Sequence, residues 1–308
     1  MNFQHKPIML KECIDGLSIN PNGIYVDGTV GGAGHSFEIA SLLSAKGKLI
    51  GFDKDPDAVM TASERLKDFK NARVFLSDYS DAANVLRGMS VDGINGVLLD
   101  LGVSSYQLDT PERGFSYRVD APLDMRMSQT GKSAADVVNT YSKEDLERII
   151  RENSEERFAY RIADLIVKER EKKPIETTGE LSEIISRAVP AFSKREKNPS
   201  KRTFQAIRME VNEELQHLSD SLDSLFDILL PGGRFAVITF HSLEDRMVKE
   251  RFNTFSTGCT CPPDFPICVC GKKPRGRLIN RKPITADEEE LERNPRAKSA
   301  KLRIIEKL

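Results

Sequence analysis

The chain has 308 residues, enough to bury a sizeable core as one large domain or two smaller ones. Charged residues make up 30% and aromatics 7%, with no Trp, a composition that excludes a disordered chain; no apolar run approaches the ~20 residues of a membrane span, and no basic-then-apolar leader opens the chain. The net charge of -1 excludes a uniformly basic polyanion binder, so a cytoplasmic protein that engages no membrane is expected.

The first hundred residues alternate strands and helices. Gly23 to Asp27 is a short apolar run ending in an acid, followed by a glycine-rich turn and an amphipathic stretch from His35 to Leu43. Lys48 to Asp53 predicts a second strand. Pro56 to Phe69 predicts a helix, with Val59, Ala62, Leu66 and Phe69 near one face. Ala72 to Leu76 and the nearly continuous apolar run Gly93 to Leu99 predict two more strands, with a helix at Asn84 to Met89 between them. Apolar strands between helices indicate a parallel sheet covered on both faces, the doubly wound α/β pattern.

The character changes after Ser105. Tyr106 to Ser133 is rich in Arg, Asp, Pro and Gly, and Ser133 to about His217 is helical in pattern, with Ser142 as a cap and Asp145 three residues on. Pro174, Pro190 and Pro199 divide that stretch into several helices. The α/β pattern returns near Ser219. Leu222 to Leu230 predicts a helix stopped by Pro231-Gly232-Gly233, Arg234 to Phe240 a strong strand, and Leu243 to Phe255 a helix. Arg277 to Arg281 and Lys301 to Ile305 predict the last strands, around an acidic helix at Ala286 to Arg293. One α/β domain, residues 1–105 and 216–308, is thus expected to be interrupted by a helical domain, residues 106–215.

The turn Asp27 to His35 follows the first strand and opens the first helix, where glycines let a ligand approach the main chain. A dinucleotide fingerprint starting at Gly32-Ala33-Gly34 requires glycine at position 37, which is Phe37, so S-adenosylmethionine is favoured over NAD. Asp27, Asp53, Asp78 and Asp100 fall at the carboxyl ends of successive predicted strands. Asp53 is placed to accept hydrogen bonds from ribose hydroxyls, Tyr79 to stack on an adenine, and Asp27 to meet an amino group. The loop from Asp100 to Gln107 leaves the fourth strand beside the expected methyl group. Methylating a delocalised exocyclic amine calls for alignment and for acceptors that hold or take its proton. Asp100, Ser104, Gln107 and loop carbonyls are the candidates, with their roles left open.

Two basic clusters interrupt the neutral average: Lys272, Lys273, Arg275, Arg277, Arg281 and Lys282, and Lys194, Arg195, Lys197, Lys201, Arg202 and Arg208 against Glu196 alone. Either is a solvated surface or a phosphate-binding patch. Cys259, Cys261, Cys268 and Cys270 lie within a dozen residues. Four thiolates suit structural zinc, but C-x-C is not the usual C-x-x-C spacing, so zinc and uncoordinated thiols both stay open. Cys13 stands apart and reads as a small apolar residue.

The runs Asp27–His35, Asp100–Asp109, Arg113–Tyr117, Asp124–Met127, Arg202–Arg208, Phe240–Arg246 and Asn294–Arg303 together resemble the bacterial MraW/RsmH family. Its members are 16S ribosomal RNA cytosine N4-methyltransferases acting on cytidine 1402. The resemblance extends from His5 to the C-terminus. It implies a class I Rossmann-like methyltransferase sheet with an inserted all-helical domain. It also implies S-adenosylmethionine contacts at Ala33, Gly34, His35, Asp53, Tyr79, Asp100 and Gln107. The implied substrate is 16S rRNA within the small ribosomal subunit, with no obligate protein partner. Arg113, Arg118, Arg126, Arg202 and Arg208 are candidates for phosphate contacts and Phe115 and Tyr117 for stacking on an extruded base, against buried ion pairs and core aromatics as the alternative. His241 lines the pocket or serves as a structural hydrogen-bonder, and Phe204, Ile207 and Val211 are expected in a core. A DNA amino-methyltransferase and a catalytically silent ribosome-assembly factor are the competing functions; an NAD-dependent oxidoreductase is disfavoured by Phe37.

Overall fold

A computed structural model describes residues 7–190, 198–259, 261, 267 and 270–308. Cys268, Lys194, Arg195 and Lys197, named above, lie outside these residues. The chain divides into two compact units, Met1–Gly102 with Gln216–Leu308, and Val103–Leu215.

The first unit is built on a seven-stranded sheet: β1 (Ile24–Asp27), β2 (Lys48–Asp53), β3 (Ala72–Leu76), β4 (Ile94–Asp100), β5 (Leu229–Thr239), β6 (Gly276–Leu278) and β7 (Lys301–Lys307). The order is β3-β2-β1-β4-β5-β7-β6. β1 to β5 pair in parallel, whereas β7 runs antiparallel to β5 and β6 antiparallel to β7. This is a Rossmann-like sheet whose strand order reverses between β1 and β4, the position at which such sheets open a ligand crevice beyond the strand carboxyl ends.

The two-residue period of each strand sorts its side chains to opposite faces. Val97, Leu99, Phe235 and Val237 pack with Leu86, Leu222, Phe226 and Phe252 on one side. Leu98, Ala236, Ile238 and Leu302 pack with Leu17, Ile39, Ala62 and Leu66 on the other. Both faces are buried, which is why the central strands read as unbroken apolar runs.

The sheet departs from expectation at Leu229. The preceding helix covers Glu214–Asp227 and stops before Pro231. Leu229 already pairs with Ile94, and the register resumes only at Arg234 opposite Gly96. Leu230 to Gly233 therefore bulge out of the ladder, with Gly232 at φ 79°. Pairing with Ile94 puts Leu229 in the sheet, buried, with Leu230 exposed beside it, and the helix ends before them.

The second unit is helical: Ala134–Thr140, Lys143–Ser154, Ala159–Arg170, Thr178–Ala188 and Ser200–Val211 surround a core that includes Val138, Leu146, Ile150, Ile162, Ile166, Leu181, Ile185, Phe204 and Ile207. Local signals fix its helix starts. Ser133 and Thr177 each form a reciprocal capping box, and Ser142 accepts from Asp145 N. The Arg-, Asp-, Pro- and Gly-rich stretch before them contains a short helix at Ser105–Asp109 and a single turn at Pro111–Arg113.

Candidate active site

The crevice is assembled by hydrogen bonds from the β1 turn to its neighbours. Gly28 N donates to Leu98 O (2.9 Å) and Val30 N to Phe52 O (3.0 Å), which fastens the turn to β4 and β2. A Cβ on Gly28 would come within 2.4 Å of Leu99 Cδ2 and 2.9 Å of Tyr79 Cβ, so glycine is what allows Tyr79 to close against the turn. Gly31 (φ 50°) and Ala33 (φ 58°) are both left-handed, and Ala33 then opens the helix Gly34–Leu42. A non-glycine residue in that conformation costs about 1–2 kcal/mol, a local strain of the kind found at ligand-binding turns.

Three of the strand-end acids share this turn. Asp27 is buried; its Oδ2 accepts from Ser36 Oγ (2.6 Å) and its Oδ1 from Thr29 N (3.1 Å). Burial pushes its carboxyl up to about 6, although both bonds oppose the shift. Asp53 accepts from Gly31 N (2.8 Å) and Asp55 N (2.9 Å), so one carboxylate ties the turn to the end of β2. Its carboxyl is also pushed up to about 6, chiefly by burial. Each oxygen keeps a second lone pair for ligand hydroxyls.

Asp100 is held by its backbone, Asp100 N donating to Thr29 Oγ1 at 2.6 Å. Its Oδ1 is buried with no hydrogen-bond partner among the described residues. Burial, followed by the charges of Asp27, Glu244 and Glu290, raises the carboxyl to about 8. Its Oδ2 lies 3.9 Å from His35 Nδ1. The other ring nitrogen of His35 is 3.0 Å from Ile8 O; a carbonyl only accepts, so Nε2 carries a proton and donates there. An orphaned acid beside a glycine turn fits a ligand that brings a positive charge and hydrogen-bond donors, as the sulfonium, amino and ribose groups of S-adenosylmethionine do.

Asp78 differs from the other three. Burial opposes its ionisation, yet the hydrogen bond from His217 and the charge of Lys54 hold its carboxyl well below the usual range. Lys54 Nζ lies 2.9 Å and His217 Nδ1 3.0 Å from Asp78 Oδ2. Nothing beside Asp78 in the chain points to His217, which lies 139 positions further along. Asp55 and Ser36 were also missed. Asp55 caps the helix that begins at Pro56, and an acid immediately before proline is a readable helix start.

Ser104 and Gln107 belong to the helical unit, where they cap the helix Ser105–Asp109 reciprocally: Ser104 Oγ accepts from Gln107 N (3.2 Å) and Gln107 Oε1 from Ser104 N (3.0 Å). Gln107 is buried. His241 is the N-cap of the helix Ser242–Ser256, and buried Glu244 returns the bond to Phe240 N and His241 N. Its role is thus the structural one of the two considered.

Several expected RNA contacts turn out to be internal. Arg113 is buried and donates to Arg126 O (3.0 Å) and Met127 O (2.9 Å); Phe115 is buried in the helical core. Tyr117 packs edge-on against Phe204 at 5.6 Å. Arg126 is paired with Asp124, and Arg208 grips Glu214 through two nitrogens. Arg113, Arg126 and Arg208 thus engage backbone and carboxylate groups inside one unit, while Tyr117, Arg126 and Arg208 stay partly exposed. Arg118 is exposed; Arg202, also exposed, lies 3.8 Å from Glu156. Cys13 is fully buried, as expected of a small apolar residue. No helix among the described residues is long and apolar enough to cross a membrane.

A family model described as the MraW methylase family matches residues 2–308. The chain is 56% identical to "Ribosomal RNA small subunit methyltransferase H 2" of Agathobacter rectalis, over 100% of this chain and 99% of the relative. It is 54% identical to "Ribosomal RNA small subunit methyltransferase H" of Lachnospira eligens, with the same coverage. Among solved structures, a ribosomal RNA methylase from Streptococcus thermophilus aligns with 100% of this chain and 99% of its own at 13% identity and a TM-score of 0.43, too slight a likeness to add to the sequence relation.

Proposed function

The chain belongs to the MraW methylase family, and from that membership we propose that it methylates the N4 amino group of a cytidine in 16S rRNA of the small ribosomal subunit, in the cytoplasm, using S-adenosylmethionine. The observation that carries this reading is the end-to-end match to relatives named as small-subunit rRNA methyltransferases at 54–56% identity.

S-adenosylmethionine supplies an electrophilic methyl group, so the protein's task is alignment, exclusion of water and removal of one proton from the amine. Asp53 accepts from the ribose hydroxyls, Tyr79 lies along the adenine, and the turn at Ala33, Gly34 and His35 receives the amino-acid end. Asp100 holds the substrate amine through the oxygen that has no other partner and takes its proton. A carboxyl raised to about 8 is a base matched to neutral pH. Ser104 and Gln107 shape the loop that follows Asp100, and assigning Gln107 to the cofactor rests on the family resemblance. The helical unit recognises the RNA.

The test is transfer of tritiated methyl from S-adenosylmethionine to purified small subunits that lack the modification, with the product nucleoside identified by mass spectrometry. N4-methylcytidine supports the reading. Transfer to duplex DNA alone, or cofactor binding without transfer, overturns it in favour of a DNA enzyme or a silent assembly factor. Asp53→Ala removes the acceptor of two backbone N–H groups as well as the proposed ribose contact. It is expected to weaken cofactor binding at least tenfold by calorimetry.

A further inference from the structure

The excursion between the helix Ser242–Ser256 and β6 carries chemistry that methyl transfer does not use. Its limbs meet at the base: Arg275 N donates to Phe255 O at 2.8 Å, and a Cβ on Gly258 would lie 2.9 Å from Pro274 Cδ. Beyond that base the described residues include no helix, no strand and no buried side chain, and Ile267 is exposed. The described residues of this loop therefore draw no order from a core or from regular structure.

Three thiols converge there. The sulfurs of Cys259, Cys261 and Cys270 all lie within 4.8 Å of one another, and none is in a disulfide. Cys259 Sγ and Cys270 Sγ, on opposite limbs, are 3.8 Å apart. Zn–S bonds of about 2.3 Å at the tetrahedral angle set neighbouring sulfurs about 3.8 Å apart, so the spacing is that of two ligands on one ion. Cys261 N donates to Cys259 Sγ at 3.4 Å, which holds these two cysteines together on one limb. Gly271, directly after Cys270, has φ 63°, a left-handed turn at the start of the returning limb. Lys272 and Lys273 follow, exposed.

We propose that Cys259, Cys261 and Cys270 bind one zinc ion that staples the two limbs of this loop and fixes the position of the basic run after it. Cys268 lies outside the described residues. The site does not depend on the proposed methyl transfer.

The experiment is elemental analysis of the full-length protein purified without chelator, together with titration of metal released by a mercurial. About one zinc per chain is expected. Cys259→Ser, Cys261→Ser and Cys270→Ser should each release it, and cobalt exchanged into the wild-type protein should give thiolate charge-transfer and tetrahedral d–d absorption. Chelation should raise hydrogen exchange between residues 257 and 275 while the sheet stays protected. These readouts on the wild-type chain hold even if a variant folds poorly. Sub-stoichiometric zinc with all thiols reactive, iron with inorganic sulfide, or a Cys259–Cys270 disulfide in the protein as isolated would each overturn the proposal.

Discussion

At the scale of single residues the decisive feature is a set of carboxyls whose ionisation burial opposes. Asp27, Asp53 and Asp100 all have folded-state values above the usual ~3.9 of an unfolded Asp. The fold therefore binds protons more tightly than the unfolded chain, and stability falls as pH rises from about 4 to about 8, levelling off above that. Asp100 accounts for the upper part of the window because its value is the highest of the three. Asp100→Asn removes that part. Its melting temperature should match wild type near pH 4 and exceed it by a few degrees near pH 8, where each kcal/mol moves a domain of this size by about 2–4 °C. Turnover should fall on the order of a hundredfold or more if Asp100 takes the proton. In the wild type, kcat/KM for S-adenosylmethionine should rise with pH toward about 8, and the variant should lose that limb. A stable variant with unchanged turnover would remove Asp100 from the mechanism. The gain in stability with loss of activity is the trade-off expected where a site holds a group against its own solvation.

At the scale of elements, the stretch after β4 is organised by backbone satisfaction more than by apolar packing. Asn212 is buried at the end of the helix Ser200–Val211, where Oδ1 accepts from Met127 N and Nδ2 donates to Met125 O and Arg208 O, all at 2.8 Å. Arg113 supports the same segment through Arg126 O and Met127 O, and Gly114 has φ 71° at a point where a Cβ would also lie 2.5 Å from Pro122 O. Asn212→Ala leaves an amide and two carbonyls without these bonds, at a cost of about 3 kcal/mol. The expected outcome is a lower denaturant midpoint and lost exchange protection at Met127, whose N–H is the one Asn212 accepts, with the amides of β1 and β4 unaffected. This segment reads as polar and charged in the sequence, which suggested a surface for RNA. Polar side chains that complete backbone hydrogen bonds have the same composition as polar side chains that await a ligand. Only their partners tell them apart.

At the scale of the whole molecule, charge is segregated although the total is near zero. Arg275 is taken up by Asp227 and lies over the rings of Phe226 and Phe255, and Arg277 pairs with Glu306. Lys272 and Lys273 remain exposed and have no ion-pair partner among the described residues. Lys272→Glu with Lys273→Glu should raise KM for small subunits about tenfold at low salt and flatten its logarithmic salt dependence by about 2, since each phosphate contact contributes about 0.7–0.9 to the slope. Cofactor affinity should not change. An unaltered salt slope would mean that this run does not touch RNA. Much of the molecule was legible beforehand. The apolar strand runs, the strand-end acids Asp27, Asp53 and Asp100, the glycine turn and the cap Ser142 depend on a handful of neighbouring residues, and sequence records neighbours directly. What only the tertiary structure decided were matters of distant partners and solvent: the pairing of Asp78 with His217, the antiparallel entry of β7 beside β5, the interior fate of Arg113 and Phe115, the convergence of three thiols, and the raised carboxyl of Asp100. Each depends on which groups the folded chain withdraws from water together, a property of the packed whole that no local pattern encodes.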